Sequence, residues 1–396
     1  MNPICTQVKV RVPATSANLG SGFDTVGLAL DYHDELTFTL NPDPSDGVAH
    51  VFIHGEGEDT LPRDETHLVV STFRRACATF GLGRLGFTLE ATNNIPQARG
   101  MGSSAEAIVA GIAAAAAFAQ PGDLNRPAIF DMAAQIEGHP DNVAPAVFGG
   151  LTVSWDFATA EGVGSVAIPG GEPLHGGFHT VNYPVDPAIT AAVFVPDYEL
   201  STEKARQALP KELPHKDAVY NVSRVGLLPA AMNPVVLAQA AAQGGADALG
   251  GDVAMSGAGA AGDGSGFSVG SGSGAGAIAG IAGAGTAAAA ANAPVTAAAF
   301  ASAASQANAL LFTATQDRLH QPYRAPLMPP STELIALFRS KGYAAAVSGA
   351  GPCVLVLHYG DAREAIDQVA VNQLASGHWR VLHLPINTAG VEIERR

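Results

Sequence analysis

The stretch Pro96-Gln97-Ala98-Arg99-Gly100-Met101-Gly102-Ser103-Ser104-Ala105-Glu106 follows residues 86–91, which read as a strand, and opens an Ala-rich run that reads as a helix of about 15 residues. Gly100 and Gly102 tolerate positive φ and leave no side chain in the way of an approaching oxyanion. The free amides of Gly102 through Ala105 would point outward at the helix N-terminus, where the macrodipole also favours negative charge. The hydroxyls of Ser103 and Ser104 stand ready for phosphate oxygens or a metal ion. The stretch has neither the Gly-Lys-Ser/Thr of a Walker A loop nor GxGxxG spacing. Taken alone, a glycine turn that only caps a helix explains it as well.

Outward from this loop, strands and helices alternate. Residues 8–11 and 36–40 alternate in polarity and read as strands, with a small-residue loop over 13–24 between them. Residues 64–81 read as a helix capped by Thr66, with Leu68, Val69, Phe73, Ala76 and Phe80 on one face. A helix over 127–137 ends at Gly138. In the second half, strands are expected at 191–195, 344–347, 354–358 and 381–384. Helices are expected at 201–209, 216–232, 333–341 (capped by Ser331 or Thr332) and 361–374. The class is α+β or α/β.

A chain of 396 residues suggests two domains or more, and 47% apolar residues suffice for a sizeable core. The net charge of −15 argues against binding a nucleic-acid duplex, which needs a basic surface to displace counterions. It leaves open a phosphorylated small molecule, because a cradle of backbone amides needs few cations. Cys5, Cys77 and Cys353 are too few and too scattered for a disulfide framework or metal cluster, which fits a reducing cytosol. No signal peptide is expected at the N-terminus, and the Ala-rich runs at 110–119 and 275–303 are too weakly apolar to span a bilayer. A soluble cytoplasmic protein is the expectation.

One region departs from the pattern. No Lys or Arg occurs between Arg224 and Arg318, and residues 241–304 are almost entirely Ala, Gly and Ser, with 16 of the 45 glycines. Such a composition offers too little apolar area to offset ordering entropy, so a flexible surface insertion is expected there.

Four other groups could carry chemistry. Glu137-Gly-His139-Pro-Asp141-Asn142 places four side chains able to accept protons, ligate a metal or hydrogen-bond within six residues, beside an apolar run. A helix-to-strand turn accounts for its Gly, Pro and Asn but not for Glu137, His139 and Asp141 together. Magnesium prefers one or two carboxylates with phosphates and water, which Glu137 could help provide. Ser348-Gly349-Ala-Gly351-Pro352 allows close backbone approach between two strands, or simply a tight turn. Asn18 and Asp24 in the first loop are a weak pair by themselves. Arg206 and Arg324 are candidates for a carboxylate fork in a chain poor in cations, with surface salt bridges as the alternative.

Taken in chain order, these pieces resemble the GHMP small-molecule kinases, and within them the homoserine kinase branch. Val12-Pro-Ala-Thr-Ser-Ala-Asn18-Leu-Gly-Ser-Gly-Phe-Asp24 is similar to that branch's N-terminal signature, and 96–106 to the family's phosphate loop, with Met101 for the usual Leu. Residues 137–146 and 348–352 are similar to two further signatures, and 202–206 and 320–324 also look like segments of the branch. The resemblance covers roughly 8–240 and 305–390. It implies an α+β, two-domain fold: an ATP-binding portion over 8–175, like the second domain of ribosomal protein S5, and a ferredoxin-like portion over 176–396 that carries the insertion. It implies ATP-dependent phosphorylation of the L-homoserine side-chain hydroxyl, on the way to threonine, by a cytoplasmic enzyme that is a possible homodimer. On this resemblance Pro96 to Glu106 would bind ATP, and Ser104 and Glu137 would hold Mg²⁺. Asn18 and Asp24 would meet the substrate amino group; His139, Thr202, Arg206 and Arg324 would meet its carboxylate. Ser348, Gly349 and Gly351 would shape the pocket, and Asn142 would hydrogen-bond near the reacting hydroxyl. Asp141 stands where some relatives have a catalytic base, yet no Lys accompanies it, and a base-free transfer is expected.

Overall fold

The computed structural model describes residues 1–234 and 297–396. Met1–Asn233 and Ala304–Arg396 form one compact unit. The expected insertion at 241–304 lies outside the described residues up to 296, and its last residues open a helix, Ala297–Ala314. That boundary is corrected: Ala is the strongest helix former, and an Ala-rich stretch reads equally as linker or helix.

The compact unit is α+β. Strands β1 (Gln7–Asn18) and β2 (Gly22–Leu40) form a long antiparallel hairpin, so most of the loop expected over 13–24 is strand. Only Leu19, Gly20 and Ser21 make the turn. Small residues there signal close packing rather than irregular backbone: Ala14, Thr15, Ser16 and Ala17 are all buried. The sheet continues through β3 (Ala49–Gly55) and β4 (Phe87–Asn93), in the order β13-β1-β2-β4-β3, where β13 is Glu392–Arg395. Strand β5 (Leu151–Phe157) pairs with β2, and β8 (Gly177–Tyr183) pairs with β5. A small separate ribbon joins β6 (Ser165–Val166) and β7 (Leu174–His175).

Helix α1 (Leu68–Thr79) begins after His67 rather than at the expected Thr66 cap, whose amide and hydroxyl bond Asp64 instead. Helix α2 (Ser103–Ala119) is apolar nearly all round and accordingly buried. Its small side chains let α1 approach so closely that a Cβ on Gly111 would stand 2.8 Å from the Val69 carbonyl oxygen. Helices α3 (Arg126–Glu137) and α4 (Val143–Phe148) complete this layer. Gly138 ends α3 in the left-handed region (φ 83°), the C-terminal signal visible in the sequence.

The second sheet has the order β10-β11-β9-β12, all antiparallel, with β9 Ile189–Pro196, β10 Ala344–Val347, β11 Val354–Tyr359 and β12 Trp379–Pro385. In chain order that is the 4-1-3-2 arrangement of a ferredoxin-like βαββαβ unit. Helix α5 (Thr202–Gln207) follows β9, capped by Ser201. The expected helix over 216–232 is two pieces, α6 (His215–Val225) and α7 (Leu228–Met232), separated at Gly226 and Leu227. The one over 361–374 likewise divides into Arg363–Val369 and Val371–Ala375. The helix expected over 333–341 starts earlier, at Pro329, where proline suits the first turn; Ser331 instead bonds the Pro352 carbonyl oxygen. Leu19, Leu28 and Met101 share one core with Val193, Leu355 and Leu311, joining the hairpin turn, the loop before α2 and the second sheet.

Candidate active site

A cleft of about 310 Å³ opens where the hairpin turn, the N-terminus of α2, the α3–α4 turn and α5 converge. The expected residues Ala98, Gly100, Gly102, Ser103, Ser104, Glu137, His139, Asp141 and Asn142 line it, and so do Asn18, Asp24, Thr202, Arg206, Arg324 and Gly349.

At the α2 end, Gly102 occupies the N-cap at φ 76°. A Cβ there would meet Thr15 Oγ1 at 1.9 Å. Gly100 (φ 81°) lies so close to the other side that a Cβ would stand 2.1 Å from the Ser348 carbonyl oxygen. Beside the helix start, Ser104 Oγ donates to Glu137 Oε2 at 2.8 Å. Burial pushes the Glu137 carboxyl up, against the lowering effect of the Ser104 bond and His139. A half-buried carboxylate next to a hydroxyl and a helix N-terminus suits a hard cation that also takes phosphate oxygens. Among the described residues no group of three His, Cys, Asp or Glu forms a site complete in itself.

The other expected loop residues serve the framework. Arg99 bonds the Pro196 and Gln97 carbonyl oxygens, Met101 is buried in the shared core, and neither lines the cleft. Pro96, Gln97, Ala105 and Glu106 also stand outside the lining. Glu106 is buried beneath the loop, where desolvation and then Asp34 raise its carboxyl well above the usual range. Ser348 and Gly351 are set back from the cleft: Ser348 Oγ donates to the Gly100 carbonyl oxygen (2.6 Å) and bonds Ser16 Oγ (2.8 Å). Their turn buttresses the loop before α2 from behind.

The opposite end is built from charged side chains. Arg206 on α5 makes a two-pronged bond to Asp24, 2.9 Å on each prong. Asn18 (φ 71°) accepts from the Asp24 amide and donates to the Gly349 carbonyl oxygen, locking the turn that presents Asp24. Arg324 is buried; its Nε reaches the Ala205 carbonyl oxygen and its Nη1 bonds His320 Nδ1 at 3.1 Å. His320 Nε2 donates to the Gly20 carbonyl oxygen, and burial keeps this ring below its usual pKa. Between the two ends, His139 Nδ1 donates to Asp141 Oδ1 at 2.7 Å. Burial works against the charged ring, but the bond to Asp141 and the charges of Asp141 and Glu137 outweigh it and raise the His139 pKa. Asn142 Oδ1 accepts from Thr15 Oγ1 at 2.8 Å.

Sequence reasoning passed over Thr15, Ser201 and His320. Thr15 carries no signal distinguishing it from its small neighbours. Ser201 was legible as a helix cap, and His320 as part of a segment whose arginine drew the attention.

Comparison with known proteins supplies the family. The family models described as GHMP kinases N terminal domain and GHMP kinases C terminal match residues 67–150 and 296–374. A homoserine kinase of Clavibacter michiganensis subsp. michiganensis is 35% identical over 389 residues, covering 98% of this chain and 94% of that protein. One of Streptomyces coelicolor is 33% identical, covering 96% of each. The crystal structure of homoserine kinase from Cytophaga hutchinsonii superposes with a TM-score of 0.67 at 21% identity, covering 100% of this chain and 99% of that one, which bears on the fold alone. With identity of this level over nearly the whole length of its relatives, the chain belongs to the homoserine kinase family of the GHMP kinases.

Proposed function

We propose that this chain transfers the γ-phosphoryl group of ATP to the side-chain hydroxyl of L-homoserine, giving O-phospho-L-homoserine and ADP. The observation that carries the reading is one cleft with an anion-accepting helix N-terminus at one end and Asp24, Arg206 and Arg324 at the other. A zwitterionic amino acid suits that second end. Its ammonium group would face Asp24, held by Asn18, and its carboxylate would face Arg206 and Arg324, with His139 and Thr202 alongside. The hydroxyl would then point toward Asn142 and the phosphate loop. Gly349 would close the pocket, with Ser348 and Gly351 behind it.

Phosphoryl transfer through a loose transition state needs positioning and charge neutralisation more than covalent help. The substrate oxygen forms a bond to the γ-phosphorus as the bond to the bridging oxygen of ADP breaks. The hydroxyl proton goes to a phosphate oxygen or solvent. Asp141 is committed to His139, which supports a positioning role for it rather than that of a base. Ser104 and Glu137 would hold Mg²⁺, which when bound neutralises phosphate charge.

The proposal extends to the organisation of the chain: an ATP-binding portion over 8–175 and a C-terminal portion over 176–396, from which β8 and β13 return to the first sheet. It extends also to a cytoplasmic setting and a homodimer. No helix among the described residues is long and apolar enough to cross a membrane. The test is coupled ADP release with Mg·ATP and L-homoserine, L-threonine, L-serine or mevalonate. Release with homoserine above the rest supports the reading; preference for another acceptor, or none, overturns it.

A further inference from the structure

The phosphate loop hangs between β4, which ends at Asn93, and α2, which begins at Ser103. Several of its carbonyl oxygens are taken by neighbours: Ala98 by the Leu200 amide, Arg99 by the Cys353 amide, Gly100 by Ser348 Oγ and Met101 by the Thr15 amide. Its entry is held differently. Asp34 on β2 is 1% exposed, and its Oδ1 accepts the backbone amides of Asn94 at 2.6 Å and Ile95 at 2.8 Å. Asn94 Nδ2 adds a bond to the neighbouring His33 carbonyl oxygen at 2.8 Å. Glu106, 4% exposed in the first turn of α2, feels the same carboxyl group: burial and then that group's charge raise its own carboxyl well above the usual range.

We propose that Asp34 is a positioning residue for ATP: one buried carboxyl group braces the phosphate loop at its entrance, through the amides of Asn94 and Ile95. This rests on the reading that the cleft-lining part of the loop, Ala98 to Ser104 at the start of α2, receives the ATP phosphates. A carboxyl group suits the task because one of its oxygens can accept two converging amides. The energetic argument is one of preorganisation. The amides at the start of α2 act on phosphate only if they are already aimed, and a displacement of about 1 Å in a positioning element can cost about 10²-fold in rate. Asp34 itself does not line the cleft, so its effect must pass through the loop.

The test measures ATP affinity by titration calorimetry without acceptor, and the homoserine KM by ADP release, in wild type, Asp34→Ala and Asp34→Asn. Asp34→Ala is expected to weaken ATP binding tenfold or more and leave the homoserine KM within twofold. Asp34→Asn retains an acceptor for both amides and is expected to recover ATP affinity to within threefold of wild type. Hydrogen exchange should show the Asn94 and Ile95 amides deprotected in Asp34→Ala and protected in Asp34→Asn. Should Asp34→Ala fail to fold, Asp34→Ser, which is too short to reach both amides, takes its place under the same criteria. Unchanged ATP affinity in the truncated variant, equal weakening of both ligands, or no recovery with Asn overturns the proposal. A wild-type chain that binds ATP but phosphorylates a different acceptor overturns the proposed substrate and leaves the Asp34 test standing on ATP affinity. Wild-type protein that binds no ATP overturns both.

Discussion

The two ends of the cleft are made in opposite ways. The proposed phosphate end lies within one contiguous stretch, Ala98 to Ser104, where backbone amides, two glycines and a helix terminus would supply the recognition. The proposed substrate end is a set of charged side chains gathered from distant positions; Asp24 and Arg206 are 182 residues apart. A site made of backbone is indifferent to many side-chain changes but intolerant of a new Cβ where the chain turns. One made of side chains tolerates small shifts of backbone but fails when a single charge or fork is altered. The contrast yields separable kinetic signatures, since damage at each end should register on a different substrate.

The largest expected effect is at the phosphate end. Gly100→Ala forces a Cβ to within 2.1 Å of the Ser348 carbonyl oxygen and 2.9 Å of the Gly351 amide nitrogen, at a φ of 81°. The loop must move, and kcat/KM for ATP should fall by about 10²-fold or more. Steady-state kinetics on a variant whose melting curve remains cooperative check this; a loss under tenfold would mean that the loop is more compliant than its packing implies. At the other end, Arg206→Lys replaces a planar fork by a point charge and breaks the paired bonds to Asp24. The homoserine KM should rise by about tenfold, with the KM for ATP unchanged. If both constants move together, the two ends are not independent and the comparison fails.

A smaller effect is expected in the middle. Asp141→Asn keeps the shape and loses the charge that holds His139. If no base is needed, kcat should drop less than about tenfold, whereas removal of a general base typically costs about 10²–10⁴-fold. Turnover over a range of homoserine concentrations separates the two, and a loss of orders of magnitude in kcat at unchanged KM would make Asp141 the base.

The same contrast explains what could be read from the amino acids. The phosphate end was legible because its signals are local: glycines at 100 and 102, serines at 103 and 104, then an apolar helix. At the substrate end Arg206 and Arg324 stood out only as rare cations and Asp24 only weakly; the family resemblance grouped them, since nothing in their neighbours reveals that a hairpin turn and two helices bring them together. Alternating elements narrowed the class to α+β or α/β and the resemblance chose α+β, but the edges of the elements did not follow. The hairpin strands run straight through residues expected as loop, because Ala, Ser and Thr buried against a helix resemble a flexible linker in composition. Asp34 gave no sign at all: its role depends on two amides 60 and 61 residues away.

The smallest expected effect concerns the Ala/Gly/Ser-rich stretch, and it turns on where a deletion stops. Replacing residues 241–296 by a short Gly/Ser link should change kcat and both KM values by no more than about twofold, because closing a long loop costs little more than closing a short one. Extending the deletion to 304 should do more, although only eight further residues are lost. It cuts into helix Ala297–Ala314, whose far end is tied to the substrate-side turn: Ser21 Oγ donates to the Ala314 carbonyl oxygen at 2.7 Å. A Cβ on Gly20 would stand only 2.1 Å from the Thr315 carbonyl oxygen, so turn and helix end are in close register. A helix shortened at its start loses stabilising turns along its length, since formation is cooperative. The longer deletion should therefore raise the homoserine KM while the ATP KM stays put. Equal behaviour of the two deletions would separate the helix from the substrate end; a loss confined to ATP would tie it to the phosphate end instead.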